Sequence, residues 1–177
     1  MTKVVNIFGA PGAGKSTLAA KLFALMKESY MSVELVTEYA KDLHYDGVKN
    51  EDYDQSIVFA EQHKRVKRLI GKVDFVITDS QLVLSAFYSL KTDYPTSFAD
   101  FALELSQRYD NINLLVKRNH QYDPSGRFQD EAGSDAIHTE LELYLNENHV
   151  KYKTVLAGGQ LAHDTFYEIR NKSVYFN

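Results

Sequence analysis

Cysteine is absent from this sequence of 177 residues, so neither disulfides nor thiolate metal sites can form. Proline is scarce, with only three residues, and no stretch rich in proline, glycine or serine is typical of a linker. Internal repeats are also lacking. The histidines form no spaced ligand pair such as HExxH. These absences predict a single domain over residues 1–177, without a zinc site of that kind.

Long hydrophobic runs are absent as well. The longest apolar runs have the length of a strand, so we expect no membrane span. The first strand pattern begins almost at Met1 and leaves no room for a signal peptide. The formal net charge of -4 argues against nucleic-acid binding through bulk charge, although a local basic groove stays open as an alternative. We therefore expect a soluble, cytoplasmic protein.

The sequence does contain a regular alternation of short β-branched runs and longer amphipathic segments. Strands are predicted over 4–8, 33–37, 74–78, 112–116 and 152–156, and helices over 16–29, 51–70, 81–90, 97–109, 132–148 and 160–170. This alternation predicts an α/β fold with right-handed βαβ units and a five-stranded parallel sheet covered by helices on both faces. Ligands of such folds bind beyond the carboxyl ends of the strands.

A glycine-rich segment follows the first predicted strand and opens the first predicted helix. It matches the phosphate-loop pattern G-x-x-x-x-G-K-[ST] in full, and its strand–loop–helix context is the one this motif requires. The candidate nucleotide-binding residues are Gly9, Ala10, Pro11, Gly12, Ala13, Gly14, Lys15, Ser16 and Thr17. Glycines let backbone N–H groups approach phosphate oxygens, and the positive end of the helix faces the anion. The motif predicts a P-loop NTPase fold of the nucleoside and nucleotide kinase type.

Three side chains of this loop have predicted roles in binding ATP and Mg²⁺. Lys15 is expected to reach the β- and γ-phosphates, and the Ser16 hydroxyl to ligate the metal ion. Thr17 is expected to help hold an inner phosphate.

Two acidic residues follow other strands of the same predicted sheet. Asp79 comes directly after the third strand, where a carboxylate can hold Mg²⁺, although it could simply cap the next helix. Glu38 ends the second strand, where a carboxylate can accept a proton from an attacking hydroxyl. A solvated glutamate at a helix N-terminus is the alternative. Which of Glu38 and Asp79 is the catalytic base stays open.

A polar loop follows the fourth strand and is predicted to form a lid over about 117–131. It begins with Lys117 and contains two arginines, Arg118 and Arg127. Arginines on a closing loop can neutralise a transferring phosphoryl group and exclude water. The alternative is an ordinary surface loop with a Pro-Ser-Gly turn.

The long middle helix carries a basic stretch that starts at His63. On one side of it, Phe59 could stack on a base and Gln62 could bond to that base; a solvated charged face is the alternative. Four tyrosines pose a similar choice between a stacking surface and core packing. They are Tyr39, Tyr45, Tyr53 and Tyr88.

Together these segments resemble the P-loop kinase domain of the bifunctional nicotinamide-nucleotide adenylyltransferase and nicotinamide riboside kinase, and small phage-type kinases of the AAA type. The resemblance covers nearly the whole chain. It is carried by GAPGAGKST, TEYAKDL at 37–43, DYDQSIVFAEQHKR at 52–65, VITDSQLVLSAFY at 76–88, the lid at 117–127 and HVKYKTV at 149–155. It implies an ATP-dependent kinase with a nucleoside-like acceptor.

Three functions stay open at this stage. The first is a kinase that phosphorylates a small nucleoside or nucleotide. The second is a phage-type kinase acting on a polymer, either hydroxymethyluracil in DNA or a 5′ end, with Lys64, Arg65, Lys67 and Arg68 as candidate groove residues. The third is a non-kinase NTPase, although the guanine-reading [NT]KxD motif is missing after the fourth strand. The oligomeric state is open, with a homodimer as one arrangement.

Overall fold

The computed structural model describes residues 1–49, 52–123 and 130–171. The sheet in these residues consists of five parallel strands: β1 (Lys3–Phe8), β2 (Val33–Val36), β3 (Phe75–Thr78), β4 (Asp110–Lys117) and β5 (Lys153–Leu156). Their order is β2-β3-β1-β4-β5, with β1 at the centre. The fold class predicted from the sequence, a parallel five-stranded α/β sheet with covering helices, is confirmed.

The helices in the described residues are α1 (Lys15–Glu28), α2 (Tyr39–Tyr45), α3 (Gln55–Lys67), α4 (Leu82–Ser89), α5 (Thr96–Gln107), α6 (Glu131–Glu147) and α7 (Leu161–Arg170). None of them is long and apolar enough to cross a membrane. The sequence did not predict α2, because this helix buries none of its residues fully and so has no apolar stripe. The helix predicted over 51–70 begins only at Gln55, where the Asp54 side chain accepts hydrogen bonds from Ser56 N and Ile57 N.

Alternate side chains of the central strand supply two separate hydrophobic layers. Val5 and Ile7 pack on one face of the sheet, together with residues of α1 and α7. Phe8 packs on the other face, in a cluster with residues of α4 and α6. Because β1 is buried on both sides, its continuous apolar sequence is what a central parallel strand requires.

The strand register brings the predicted functional segments to one edge of the sheet. Asn6 pairs with Thr78 of β3, and Phe8 pairs with Leu115 of β4. Val36 also pairs with Thr78. The segments that follow β1, β2 and β3 therefore leave the sheet side by side, at the edge where ligands of open α/β sheets bind.

Candidate active site

The glycine-rich loop joins β1 to α1 in a conformation that its glycines make possible. Gly9 has φ 149°, and a Cβ there would lie 2.8 Å from the carbonyl oxygen of Val116. Gly14 has φ 91° and forms the N-cap of α1 without a side-chain cap. Because L-residues with a side chain rarely adopt such backbone angles, Gly9 and Gly14 are required by the loop itself. The backbone of this loop is compatible with the predicted phosphate cradle, which stays a prediction.

Lys15 folds back over the loop that precedes it. Its Nζ donates to the carbonyl oxygen of Ala10 at 3.1 Å. Lys15 is also the first residue of α1, so its ammonium group and the positive end of the helix dipole act in the same place. This arrangement favours an anionic ligand such as a phosphate group.

Ser16 and Asp79 meet where the phosphate loop faces the end of β3. Ser16 Oγ donates to Asp79 Oδ2 at 2.5 Å. Asp79 is only 3% exposed, and its other oxygen, Oδ1, is buried without a hydrogen-bond partner among the described residues. A buried carboxylate oxygen left unpaired is costly, so this atom fits a cation ligand. A hydroxyl and a carboxylate are also the oxygen donors that Mg²⁺ prefers.

No group of three or more His, Cys, Asp or Glu side chains in the described part of the chain is placed to hold a metal ion. This is compatible with a magnesium site, because Mg²⁺ usually takes one or two protein ligands and completes its shell with water and substrate phosphates.

Glu38 lies at the N-terminus of α2, beyond the end of β2. Burial raises the pKa of its carboxyl group, the charge of Lys15 lowers it, that of Asp79 raises it, and that of Lys41 lowers it. These interactions place Glu38 near both the phosphate loop and the candidate metal ligand. A carboxyl group with a raised pKa, held beside a cationic site, has the properties of a general base.

Two of the four tyrosines identified in the sequence lie near Glu38. Burial raises the pKa values of the Tyr53 and Tyr88 hydroxyls, and the negative charge of Glu38 raises both further. The Tyr39 ring instead lies under the guanidinium of Arg65, whose Cζ is 5.0 Å from the centroid of that ring, and Tyr45 is exposed. The set therefore divides: the Tyr53 and Tyr88 hydroxyls interact with the charge of Glu38, whereas Tyr39 packs against Arg65 and Tyr45 is exposed.

Sequence reasoning missed Lys41, although it lies within the TEYAKDL segment. Its Nζ donates to Ser16 Oγ at 3.1 Å. Its position three residues after Glu38 is the feature of the sequence that could have identified it. Once α2 is known to be a helix, this spacing puts both residues on the same side of it.

The middle helix does not offer the base-binding side that the sequence suggested. Gln62 is only 1% exposed and makes buried bonds: Oε1 accepts from Tyr39 N at 3.1 Å, and Nε2 donates to Thr78 Oγ1 at 3.2 Å. Phe59 is buried and packs edge-on against Phe98 at 5.6 Å. Both side chains are therefore occupied within the fold, and the hypothesis that they bind a base is not supported.

The predicted lid is described only in part. Arg118 forms ion pairs with Glu131 and Asp135 at the start of α6, and its guanidinium lies 5.4 Å from the ring centroid of Tyr122. Arg127 lies outside the described residues. The α6 helix also contacts the phosphate loop, because Ser134 Oγ donates to Pro11 O at 2.7 Å. The catalytic roles of both arginines stay predictions.

An acidic groove includes Tyr53 in its lining. Its volume is about 670 Å³, and its lining residues are Asp52, Tyr53, Asp54, Thr92, Asp93, Tyr94 and Pro95. Hydrogen bonds from Ser56 and Tyr94 hold the pKa of Asp54 at about 2, so this carboxylate stays ionised at neutral pH. A groove with three aspartates repels polyanions and favours neutral or cationic groups.

A parallel five-stranded sheet, a phosphate loop after its central strand and a Ser–Asp pair beside that loop define a P-loop domain of the kinase-like class. A family model described as "AAA domain" matches residues 4–160, and the chain belongs to this family. No curated protein matches the chain.

Two solved structures share the fold. One is a thymidylate kinase from Ehrlichia chaffeensis, with TM-score 0.66 and 14% identity over 97% of this chain and 99% of that one. The other is a NadR protein in complex with NR, with TM-score 0.69 and 18% identity over 99% of this chain. The chain spans 53% of that NadR protein.

Proposed function

We propose that this protein is an ATP- and Mg²⁺-dependent kinase that transfers the γ-phosphoryl group of ATP to a small nucleoside- or nucleotide-type acceptor. The observation that carries the proposal is the position of Glu38, a partly buried carboxylate that interacts electrostatically with Lys15 of the phosphate loop and with Asp79. A carboxylate at this position can accept the proton of an acceptor hydroxyl, and the hydroxyls of Tyr53 and Tyr88 lie close enough to interact with its charge. The fold shared with a thymidylate kinase and with a NadR protein in complex with NR supports the same class.

Residues of the phosphate loop would hold the nucleotide. The loop from Gly9 to Thr17 supplies backbone N–H groups and the start of α1, and Lys15 supplies a positive charge. Ser16 and Asp79 would hold the metal ion, which supplies charge neutralisation on the phosphates when bound. The unpaired Oδ1 of Asp79 supports this assignment.

The contacts of the two carboxylates favour Glu38 as the base. Asp79 already accepts the Ser16 hydroxyl at 2.5 Å and is buried beside the phosphate loop, which suits a metal ligand. Glu38 interacts electrostatically with the Tyr53 and Tyr88 hydroxyls and has a raised pKa. We therefore assign to Glu38 the removal of the proton from the acceptor hydroxyl, while Tyr53 and Tyr88 border the acceptor.

A role for the lid arginines requires movement of Arg118 away from Glu131 and Asp135. With its partners exchanged for a phosphoryl group, Arg118 would neutralise charge in the transition state, and Arg127 is proposed for the same task. We also propose that the chain is a single domain acting in the cytoplasm, as a monomer or homodimer.

A small acceptor fits the observed charges better than a polymer does. Arg65, one of the candidate groove residues for DNA, is paired with Asp42 at 2.7 Å and with Glu61 at 3.3 Å. Lys64 is paired with Glu61 as well. The groove at Tyr53 is acidic rather than basic. DNA would need a basic wall along its backbone, so we place polymer acceptors second.

The test is transfer of label from γ-labelled ATP in the presence of Mg²⁺. The acceptor panel consists of nucleosides including nicotinamide riboside, nucleoside monophosphates including thymidylate, and single- and double-stranded DNA with ordinary and hydroxymethylated bases. We expect label in one small acceptor. Label in DNA alone would replace the proposal with the polymer kinase, and hydrolysis unaffected by every acceptor would favour an NTPase.

A further inference from the structure

Lys41 of α2 reaches the phosphate loop from the acceptor side. Its Nζ lies 3.1 Å from Ser16 Oγ, although the two residues are 25 positions apart in sequence. The same hydroxyl donates its proton to Asp79 Oδ2 at 2.5 Å. The Lys41 ammonium group is thus linked to the Asp79 carboxylate through one oxygen atom.

The two hydrogen bonds give Ser16 Oγ two different roles, as a donor to Asp79 and as an acceptor from Lys41. Because Ser16 donates to Asp79, the oxygen of Ser16 has its acceptor side turned to Lys41. A metal ion bound to Ser16 would use that same acceptor side. The ammonium group and the metal ion therefore compete for one hydroxyl, and their like charges keep them from occupying it together.

Lys41 also has an anionic neighbour on the acceptor side. The charges of Lys41 and Glu38 interact, and Glu38 directly precedes α2. Lys41 is exposed and carries a long flexible side chain, so it can leave Ser16 without disturbing the core. Two anionic surroundings are therefore open to it: the Ser16–Asp79 pair and the region of Glu38, where the transferring phosphoryl group would lie.

We propose that Lys41 is a positioning residue that takes the place of the metal cation at Ser16 and Asp79 in the metal-free protein. This inference rests on the proposed function, because it uses the proposed metal and nucleotide sites. The ammonium group holds the two ligands in place and supplies a cation for the phosphates when no metal ion is bound. When the metal ion is bound, Lys41 is released from Ser16 and turns towards the acceptor side.

Binding of a fluorescent ATP analogue to Lys41→Met tests this without any need for turnover. In EDTA we expect the affinity of the variant to fall about tenfold or more, the effect of losing one hydrogen bond from a charged group. With saturating Mg²⁺ the affinity should stay within about twofold, since the metal ion then supplies the charge. The Mg²⁺ concentration that gives half of the metal-dependent increase in affinity for the analogue should be lower in Lys41→Met than in the wild type. The reason is that the ion no longer displaces an ammonium group.

Two further variants sharpen the result. Lys41→Arg keeps the charge and should retain most of the metal-free affinity. Lys21→Met removes an exposed lysine of α1 and should match the wild type in both titrations. An equal loss of affinity with and without Mg²⁺ in Lys41→Met would overturn the proposal, as would no loss at all or no measurable metal-free binding by the wild type. If these titrations behave as expected but no acceptor is ever labelled, the proposed function alone fails.

Discussion

At the scale of single residues, opposing influences act on the pKa of the Glu38 carboxyl group. Burial favours its protonated form, whereas Lys15 and Lys41 favour the charged form. The net result is a raised pKa, so ionisation of Glu38 in the folded protein costs free energy. A cost of this kind is common where a group is retained for chemistry rather than for stability.

Replacement of Glu38 by Gln should separate its contribution to the reaction rate from its contribution to stability. Without a base the maximal transfer rate should fall by about 100-fold or more. In the wild type the rate should rise with pH through the raised pKa of Glu38, and in Glu38→Gln this rising limb should disappear. A pH–rate profile of both proteins checks this, and an unchanged limb in the variant would exclude Glu38 as the base.

The same substitution has an expected effect on stability. Because the pKa of Glu38 is raised in the folded state, its stabilising contribution is present at low pH and is lost as the pH rises through that pKa. Glu38→Gln should therefore raise the melting temperature near pH 8 and leave it nearly unchanged near pH 4. Glu28→Gln, at an exposed carboxylate at the end of α1, is the control for a change of charge alone.

At the scale of secondary structure, Gln62 connects three elements that surround the site. Its carboxamide joins α3 to the start of α2 through Tyr39 N, and to the end of β3 through Thr78 Oγ1. Glu38 precedes Tyr39, and Asp79 follows Thr78. Gln62 therefore fixes the distance between the Glu38 and Asp79 carboxylates without a hydrogen bond to either of them.

Gln62→Leu should disturb this spacing. The change leaves Tyr39 N and Thr78 Oγ1 without their partner in a buried place, which costs about 1–3 kcal/mol of unfolding free energy. The KM for the acceptor should rise more than the KM for ATP, because the Gln62 bonds lie next to Glu38 and Asp79 and not in the phosphate loop. Gln107→Leu makes the same change at an exposed glutamine of α5. Equal acceptor KM values for these two variants would show that the connection does not position the site.

The sequence predicted the parts of the site that strong local patterns encode. The phosphate loop, the parallel sheet and the places of Glu38 and Asp79 follow from glycine spacing and apolar strands. The contacts of Lys41 and Gln62 were not predictable, because both depend on α2, a short helix without an apolar face. The loop containing Arg118 had a recognisable composition, but its pairing with Glu131 and Asp135 depends on how α6 packs.

At the scale of the whole molecule, charge is distributed unevenly around the end of the sheet. Cationic groups of Lys15 and Lys41 lie at the phosphate loop, and aspartates line the groove beyond Tyr53. This separation suits an enzyme that holds a polyanionic nucleotide on one side and a small uncharged or cationic group on the other. It is the opposite of the continuous basic surface that a nucleic-acid substrate requires.

The most direct test of the central claim is the destination of the γ-phosphoryl group. Labelled ATP is followed in the presence of the best small acceptor, and labelled product is compared with labelled inorganic phosphate, with Lys15→Ala as the inactive control. We predict that ATP consumption depends on the acceptor and that most of the label enters it. Release of labelled phosphate at the same rate with or without every acceptor would contradict the assignment as a kinase.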